Sequence, residues 1–322
     1  MKNIVAAIFG FILLLTLIPL SIFLVLSENE QGPSNVLMPP TVKTEWPYAE
    51  NSEEELRSIV VPVMRYESNV LEEVDLEQYI IGVVASEMSP TFEIEALKAQ
   101  AVAARTFVLY SLQSADYVVD TVMDQVFRDE SQLRERWGQD FDRHWETISE
   151  AVMATKGLVM THNDELIAAM FFSMSNGRTE NSEEVFSSAR PYLRSIESPW
   201  DLQAPRFETE TEFTLADFRN RLGNNSLNVS DISILSRTTG GNVSEVQVGN
   251  TVMTGPDFRR ALGLRSADFT IRSANNMVVI TTRGNGHGVG MSQYGANELA
   301  RQGKTFDYIL NFYYQEIKIA EK

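Results

Sequence analysis

The chain has 322 residues, 43% of them hydrophobic and 22% charged, with 27 Lys and Arg set against 44 Asp and Glu for a formal net charge of −17. This is globular composition, enough for a large core in one or two domains, and so acidic a balance excludes nucleic acid as a partner because binding it needs a basic surface. The absence of cysteine removes disulfides, thiolate nucleophiles and sulfur-rich zinc sites together.

No charged residue stands between Lys2 and Glu28. The run Ile4 to Leu26 would extend about 34 Å as a helix, against a hydrocarbon core of roughly 30 Å. Pro19 is tolerable within such a span. A cleaved signal peptide is the rival, but Leu24-Val25-Leu26-Ser27 offers no small-x-small site. Residues 1–28 are therefore expected to anchor the chain in a membrane. Lys2 before the span and Glu28 and Glu30 after it place the N-terminus inside and the body outside. Residues 29–58, with Pro39-Pro40 and Glu53-Glu54-Glu55, read as a tether. Residues 59–322 read as one large domain.

Within it, Ile59 to Val63 predicts a strand, with a second short strand before Leu71. Asp75, with Gln78 three residues later, predicts a capped helix through Met88. An alanine-rich helix from Glu93 to Gln113 and a third from Phe141 to Lys156 follow. Leu158 to Thr161 and Leu166 to Phe172 predict a hairpin around His162-Asn163-Asp164. Further strands are expected at Ser233 to Arg237, Val243 to Val248, Phe269 to Arg272 and Met277 to Thr282. A helix from Pro256 to Leu262, stopped by Gly263, interrupts them. A helix at Ala296 to Gln302 and an aromatic segment at Phe306 to Tyr314 close the chain. Helices first and strands later, without βαβ alternation, indicate an α+β class with a mixed, antiparallel sheet.

Three constellations could carry chemistry. In the first, Leu76, Ile80, Val83 and Val84 form an apolar stripe, and Glu87 falls within it at the helix C-terminus. Desolvation and the negative end of the helix dipole would both raise its pKa, as a general acid requires. The plain alternative is a glutamate reaching solvent from a helix end. In the second, Arg105 sits in an apolar run and must find either a protein carboxylate or a substrate oxygen. Were Glu87 its partner, the raised pKa would be undone. Lys98 lies seven residues away on a neighbouring azimuth. The third is Arg283-Gly284-Asn285-Gly286-His287-Gly288-Val289-Gly290-Met291-Ser292-Gln293-Tyr294-Gly295. Its glycines permit close approach of a ligand to backbone, and they leave His287 open. The spacing is not that of a dinucleotide loop, and no serine-hydrolase elbow or metal motif is present. His144 and His162 read as ordinary helix-surface and turn residues.

Four ordered blocks resemble the stage II sporulation protein D family. They are Asp75 to Met88, Ala96 to Thr106, the stretch Ser173-Met174-Ser175-Asn176-Gly177-Arg178-Thr179-Glu180 with Pro191-Tyr192-Leu193 and Ser198-Pro199-Trp200-Asp201, and Gly284 to Ala296. The resemblance implies a lytic transglycosylase that acts during forespore engulfment, cleaving between N-acetylmuramic acid and N-acetylglucosamine in peptide-stripped peptidoglycan strands. It implies Glu87 as catalytic residue. Lys98, Gln100, Arg105, Ser175, Tyr192, His287, Ser292, Gln293 and Tyr294 would hold the sugar. It implies stage II sporulation proteins P and M as partners. Some relatives carry His and Cys zinc ligands in the middle block, where this chain has Phe172, Ser175 and Arg178, so no metal and no cofactor are expected.

Overall fold

A computed structural model describes residues 42–43, 59–186, 188–274 and 277–322. The expected anchor, and all of the expected tether but Val42 and Lys43, lie outside the described residues. Among those described, no helix is long and apolar enough to cross a membrane.

The architecture is mixed, with helices packed against small, mainly antiparallel sheets. A first sheet has the order β1 (Val42–Lys43), β3 (Val70–Asp75), β2 (Val60–Arg65), β4 (Val118–Val119). The second strand runs through Leu71 rather than ending before it. Asp75 then caps α1 (Leu76–Glu87), its carboxylate accepting from the amides of Glu77 at 2.9 Å and Gln78 at 3.2 Å. This helix is buried on nearly every side from Tyr79 to Ala85, so its apolar surface is wider than the stripe expected from periodicity. After the Ser89-Pro90 break, α2 (Ile94–Ser111) forms the axis of the core. It touches α1, α4 (Phe141–Met153), α8 (Gln293–Arg301) and α9 (Phe306–Tyr313). Ala96, Ala99, Ala101, Ala103 and Ala104 are all fully buried; a short side chain lets neighbouring helices come close.

Between α2 and α4 lies α3 (Glu130–Trp137), not anticipated from the sequence although Asp129 and Gln132 form a full capping box. Next, β5 (Leu158–His162) pairs with β6 (Glu165–Leu166), and Asn163 and Asp164 take positive φ of 52° and 65° at the turn. That is the two-residue hairpin turn the sequence indicates. The expected long return strand to Phe172 does not form. The chain leaves the sheet after Leu166, and β7 (Phe171–Phe172) instead pairs in parallel with β14 (Met291–Ser292). This non-local pairing brings the glycine-rich segment onto the core. At the far end β15 (Lys318–Glu321) closes on β5.

After a short helix, α5 (Ser182–Val185), a second hydrophobic cluster assembles around Phe218, Phe258, Val243, Val246, Phe269 and Ile280. It joins two three-stranded sheets. One is β9 (Ile232–Arg237), β10 (Val243–Val248) and β11 (Thr251–Thr254); the other is β8 (Glu208–Thr214), β12 (Phe269–Ala274) and β13 (Met277–Arg283). Helices α6 (Leu215–Arg221) and α7 (Gly255–Leu262) cover them, and Gly263 ends the latter in the left-handed conformation. Strand β8 escapes sequence reading because its exposed residues are Glu208, Glu210, Glu212 and Thr214, and β11 because its four residues are too short a run to show a period.

Candidate active site

Glu87 is the last residue of α1 and half-buried. Gly82, one turn earlier, determines what reaches it. A β-carbon there would stand 2.5 Å from the Arg128 carbonyl oxygen and 2.5 Å from the Phe127 ring. Only glycine lets this segment cross the helix so closely. The crossing brings the Val126 amide to 3.2 Å from Glu87 Oε1, to which it donates.

Gln293 is buried at the start of α8 and also donates to Glu87. Its Nε2 donates to Gln100 Oε1 at 3.4 Å, and Gln100 is wholly buried on α2. Helix α8 is fixed at both ends of its first turns. Ser292 caps it by accepting from the Gly295 amide at 3.2 Å, and Asn297 Oδ1 accepts from the Glu93 amide at 2.8 Å, tying it to the start of α2. Burial pushes the Glu87 carboxyl up, and the Val126 amide, the Gln293 side chain and the Arg128 charge pull it down, without cancelling the rise. Tyr294, half-buried, meets the Phe92 ring edge-on with centroids 5.2 Å apart. Glu87, Gln100, Gln293 and Tyr294 are thus brought together from three helices.

Other expected sugar ligands prove to be committed to the fold. Arg105 is fully buried, donating through Nε to Glu77 Oε1 at 2.9 Å and through Nη2 to Glu77 Oε2 at 2.5 Å. Its Nη1 donates to the Leu158 carbonyl at 3.1 Å, and Nη2 donates as well to the Val152 carbonyl at 3.4 Å. Glu77 lies at the other end of α1, about 15 Å from Glu87 at helical rise. Arg105 is thus paired with Glu77 rather than with Glu87, and the partner that would have lowered the Glu87 pKa is elsewhere. Lys98 pairs with Glu95 at 2.7 Å, which occupies its charge on α2.

Ser175 and Ser292 are buried and donate to Asp201 at 2.5 and 2.8 Å, joined by Ser198 at 2.8 Å. Burial pushes the Asp201 carboxyl up, and these three hydroxyls oppose the shift. Ser198 also shares a 2.9 Å hydrogen bond with Tyr313. Through both serines this cage locks the middle signature to α8 and α9. Tyr192 is buried, its hydroxyl accepting from the Ala168 amide and from Arg190, each at 3.1 Å. Arg190 donates to Tyr110 as well, which is ten residues along α2 from Gln100 and so about 15 Å away. Tyr192 therefore stands apart from Glu87.

His287 is not the open residue its glycine neighbours suggested. Its Nδ1 accepts from the Val289 amide at 3.1 Å, the ring also hydrogen-bonds the Phe171 backbone, and Phe172 and Phe186 flank it at 5.6 and 5.5 Å. Burial, with the Arg259 charge, pushes its pKa down to about 4. By accepting from the Val289 amide the imidazole holds the turn of its own loop. Among the described residues, no group of three His, Asp or Glu is placed to hold a metal ion.

Two participants carry little signal of their own in the sequence. The Val126 amide is backbone and carries no side-chain signal. Asp201 was visible only as part of a motif; an aspartate among serines and aromatics is the one hint of its buried role.

The family model described as stage II sporulation protein matches residues 65–162. Stage II sporulation protein D of Bacillus subtilis (strain 168) is 40% identical over 318 residues, covering 96% of this chain and 93% of that protein. The protein of the same name from Bacillus amyloliquefaciens is 40% identical over 334 residues, covering 100% of this chain and 96% of its own. The amidase enhancer of Bacillus subtilis is 28% identical over 288 residues, 72% of this chain and 39% of that protein. With near full-length similarity added to four motif blocks in order, the chain belongs to the stage II sporulation protein D family.

Proposed function

We propose that this sporulation-family protein is a lytic transglycosylase that cleaves peptide-stripped peptidoglycan strands between N-acetylmuramic acid and N-acetylglucosamine, with Glu87 as the sole acid–base group. The observation that carries this reading is the environment of Glu87. Its carboxyl is shifted upward by burial, and the groups that temper the shift are an amide, a carboxamide and a guanidinium. None is a carboxylate. Asp120 and Asp124, which share Tyr79 as a neighbour with Glu87, accept from the backbone amides of Tyr66 and Val119.

Ordinary glycosidases need two carboxyl groups, one to protonate the leaving oxygen and one to attack or to activate water. One suffices if the sugar supplies its own nucleophile. Protonated Glu87 gives its proton to the glycosidic oxygen, and the C1–O bond breaks. The C6 hydroxyl of the same muramic acid attacks C1, and ionised Glu87 takes its proton, leaving a 1,6-anhydro end and the enzyme as it began. Intramolecular attack supplies the proximity that a second residue would otherwise provide. In this reading the body works outside the membrane on residues 1–28 as anchor, with stage II sporulation proteins P and M as partners.

Digestion of purified peptide-free strands followed by mass spectrometry of the ends tests the reading. The wild type should release 1,6-anhydro ends, and Glu87→Gln should lower that rate by at least about a hundredfold, the scale of general acid–base catalysis. Ordinary reducing ends would make the protein a hydrolase. Full function of Glu87→Gln would make it a non-catalytic wall-binding scaffold.

A further inference from the structure

The segment Thr214-Leu215-Ala216-Asp217-Phe218-Arg219-Asn220-Arg221-Leu222-Gly223 returns as Thr254-Gly255-Pro256-Asp257-Phe258-Arg259-Arg260-Ala261-Leu262-Gly263, with Thr, Asp, Phe, Arg, Leu and Gly at matching places. Each matching residue has the same task in its own segment. Thr214 and Thr254 cap α6 and α7, accepting from the amides of Asp217 and Asp257, both at 3.1 Å. Phe218 and Phe258 are fully buried and meet edge-on, centroids 6.4 Å apart. Gly223 and Gly263 both take φ of 67°, a left-handed stop. Arg219 and Arg259 each donate through Nε to a carbonyl past the end of the helix, Leu227 at 2.6 Å and Leu264 at 3.2 Å.

The likeness continues into the strands. From those two leucines onward, Leu227-Asn228-Val229-Ser230-Asp231-Ile232-Ser233-Ile234 aligns with Leu264-Arg265-Ser266-Ala267-Asp268-Phe269-Thr270-Ile271. The Asp231 carbonyl accepts from the Gly249 amide at 2.9 Å, just past β10, and the Asp268 carbonyl from the Arg283 amide at 3.0 Å, at the end of β13. The order β8-α6-β9-β10 is followed by β11-α7-β12-β13, and the first strand of each set pairs antiparallel with the last strand of the other. Neither sheet is complete without both sets, as in a swapped dimer.

The two sets differ in what their loops meet. In the first, the loop closes on itself, the Asp231 carboxylate accepting from the Asn228 amide at 2.8 Å. This set reaches the body elsewhere, through Thr238 and Asn242 on Glu180. In the second, the Arg265 carbonyl accepts from the Gly286 amide at 2.9 Å, and Asp268 accepts from Asn176 Nδ2 at 3.2 Å. Strand β13 then runs directly into the glycine-rich segment, and the Arg259 charge bears on His287 within it.

We infer that residues 208–283 are two copies of one β-α-β-β unit that complete each other's sheets, and that the copies have divided their work. Arg259 of the second is a positioning residue for the glycine-rich segment that carries Gln293 to Glu87, whereas Arg219 of the first holds only its own loop. The path is short: Arg259 fixes the Leu264 carbonyl, and the next carbonyl, that of Arg265, fixes the Gly286 amide. The effect on catalysis rests on the reading of Glu87 as the acid–base group; the duplication and the ordering of the segment do not.

Hydrogen exchange of the full chain, read by mass spectrometry, tests this without any cleavage. Arg219→Leu and Arg259→Leu should each speed exchange in the loop past its own helix, residues 224–231 and 264–268. The gain should be about tenfold or more, the scale of one hydrogen bond from a charged donor. Only Arg259→Leu should also speed exchange across residues 286–293, while protection in α2 stays unchanged in both. Arg259→Lys keeps a donor and should recover part of the loss; it carries the comparison if the leucine variant loses α2 protection. Release of 1,6-anhydro ends should slow about tenfold in Arg259→Leu, as misplaced reacting groups do, and not in Arg219→Leu. A loop past α6 that stays protected in Arg219→Leu would overturn the equivalence of the copies. Equal exchange across 286–293 in the two variants would overturn the division of work, as would an unslowed release by Arg259→Leu. If the wild type releases no anhydro ends, the transglycosylase reading fails and the exchange result stands by itself.

Discussion

Glu87 is held between opposing influences: burial favours its protonated form, and two hydrogen bonds favour the carboxylate. Gln293 is the adjustable one, because Gln100 fixes it from behind and it bears no charge. Removing it with Gln293→Leu withdraws a bond that lowers the pKa, so the pKa should rise further. The alkaline limb of the pH profile for anhydro-product release should then move to higher pH. The maximal rate should fall at the same time, because the carboxyl loses its orientation. An unmoved limb would mean that Gln293 serves the sugar rather than the acid. The Nε2 of Gln100 is buried with no partner of its own, a donor left for an atom that arrives with ligand or water.

At the scale of elements, the site depends on how α1 is crossed. Gly82 lies in the middle of a helix, where glycine costs about 1 kcal/mol against alanine, so its presence calls for a packing reason. The Arg128 carbonyl and the Phe127 ring supply it. Gly82→Ala should displace this segment, destabilise the fold by about 1–3 kcal/mol as overpacking does, and withdraw the Val126 amide from Glu87. Chemical denaturation measures the first effect and strand digestion the second. A variant with unchanged stability would show that the segment gives way at no cost. Helix α8 is the complementary element. Its N-terminal serine is tied to the Asp201 cage, so that Gln293 and Tyr294 emerge at a fixed place.

At the scale of the molecule, the two hydrophobic clusters are joined at a buried carboxyl. Glu180 Oε1 accepts from the Thr238 hydroxyl at 2.9 Å and the Asn242 amide at 3.3 Å, both beyond β9, while Oε2 is buried without a partner. Its backbone amide donates to the Gly288 carbonyl at 2.7 Å. Burial pushes its pKa up to about 7 from 4.5, opposed by those hydrogen bonds. The folded state therefore keeps this proton to higher pH than the unfolded chain. Its contribution to stability is complete below about pH 4.5 and is lost as pH rises to about 7. A shift of this size corresponds to roughly 3 kcal/mol. Denaturation of Glu180→Gln should show a weaker fall in stability across that window than the wild type, and a more stable protein at pH 8. Parallel pH curves for the two would refute the assignment.

The sequence by itself determined the local elements whose signals are local. Asp75 announced the start of α1, Gly263 the end of α7, and Asn163-Asp164 a tight turn. It also placed Glu87 at a helix end among apolar neighbours, and its ordered motifs indicated the family. It left Arg105 open between protein and substrate, because a buried guanidinium advertises only that some acceptor exists. Tertiary structure chose Glu77, a partner 28 residues away across two helices. Likewise only the folded chain shows which protein groups Ser175, Ser292, Tyr192 and His287 meet, because those partners are distant in the chain or belong to the backbone. The half-strand Phe171–Phe172 was cut from its hairpin by pairing with Met291–Ser292, 120 positions on.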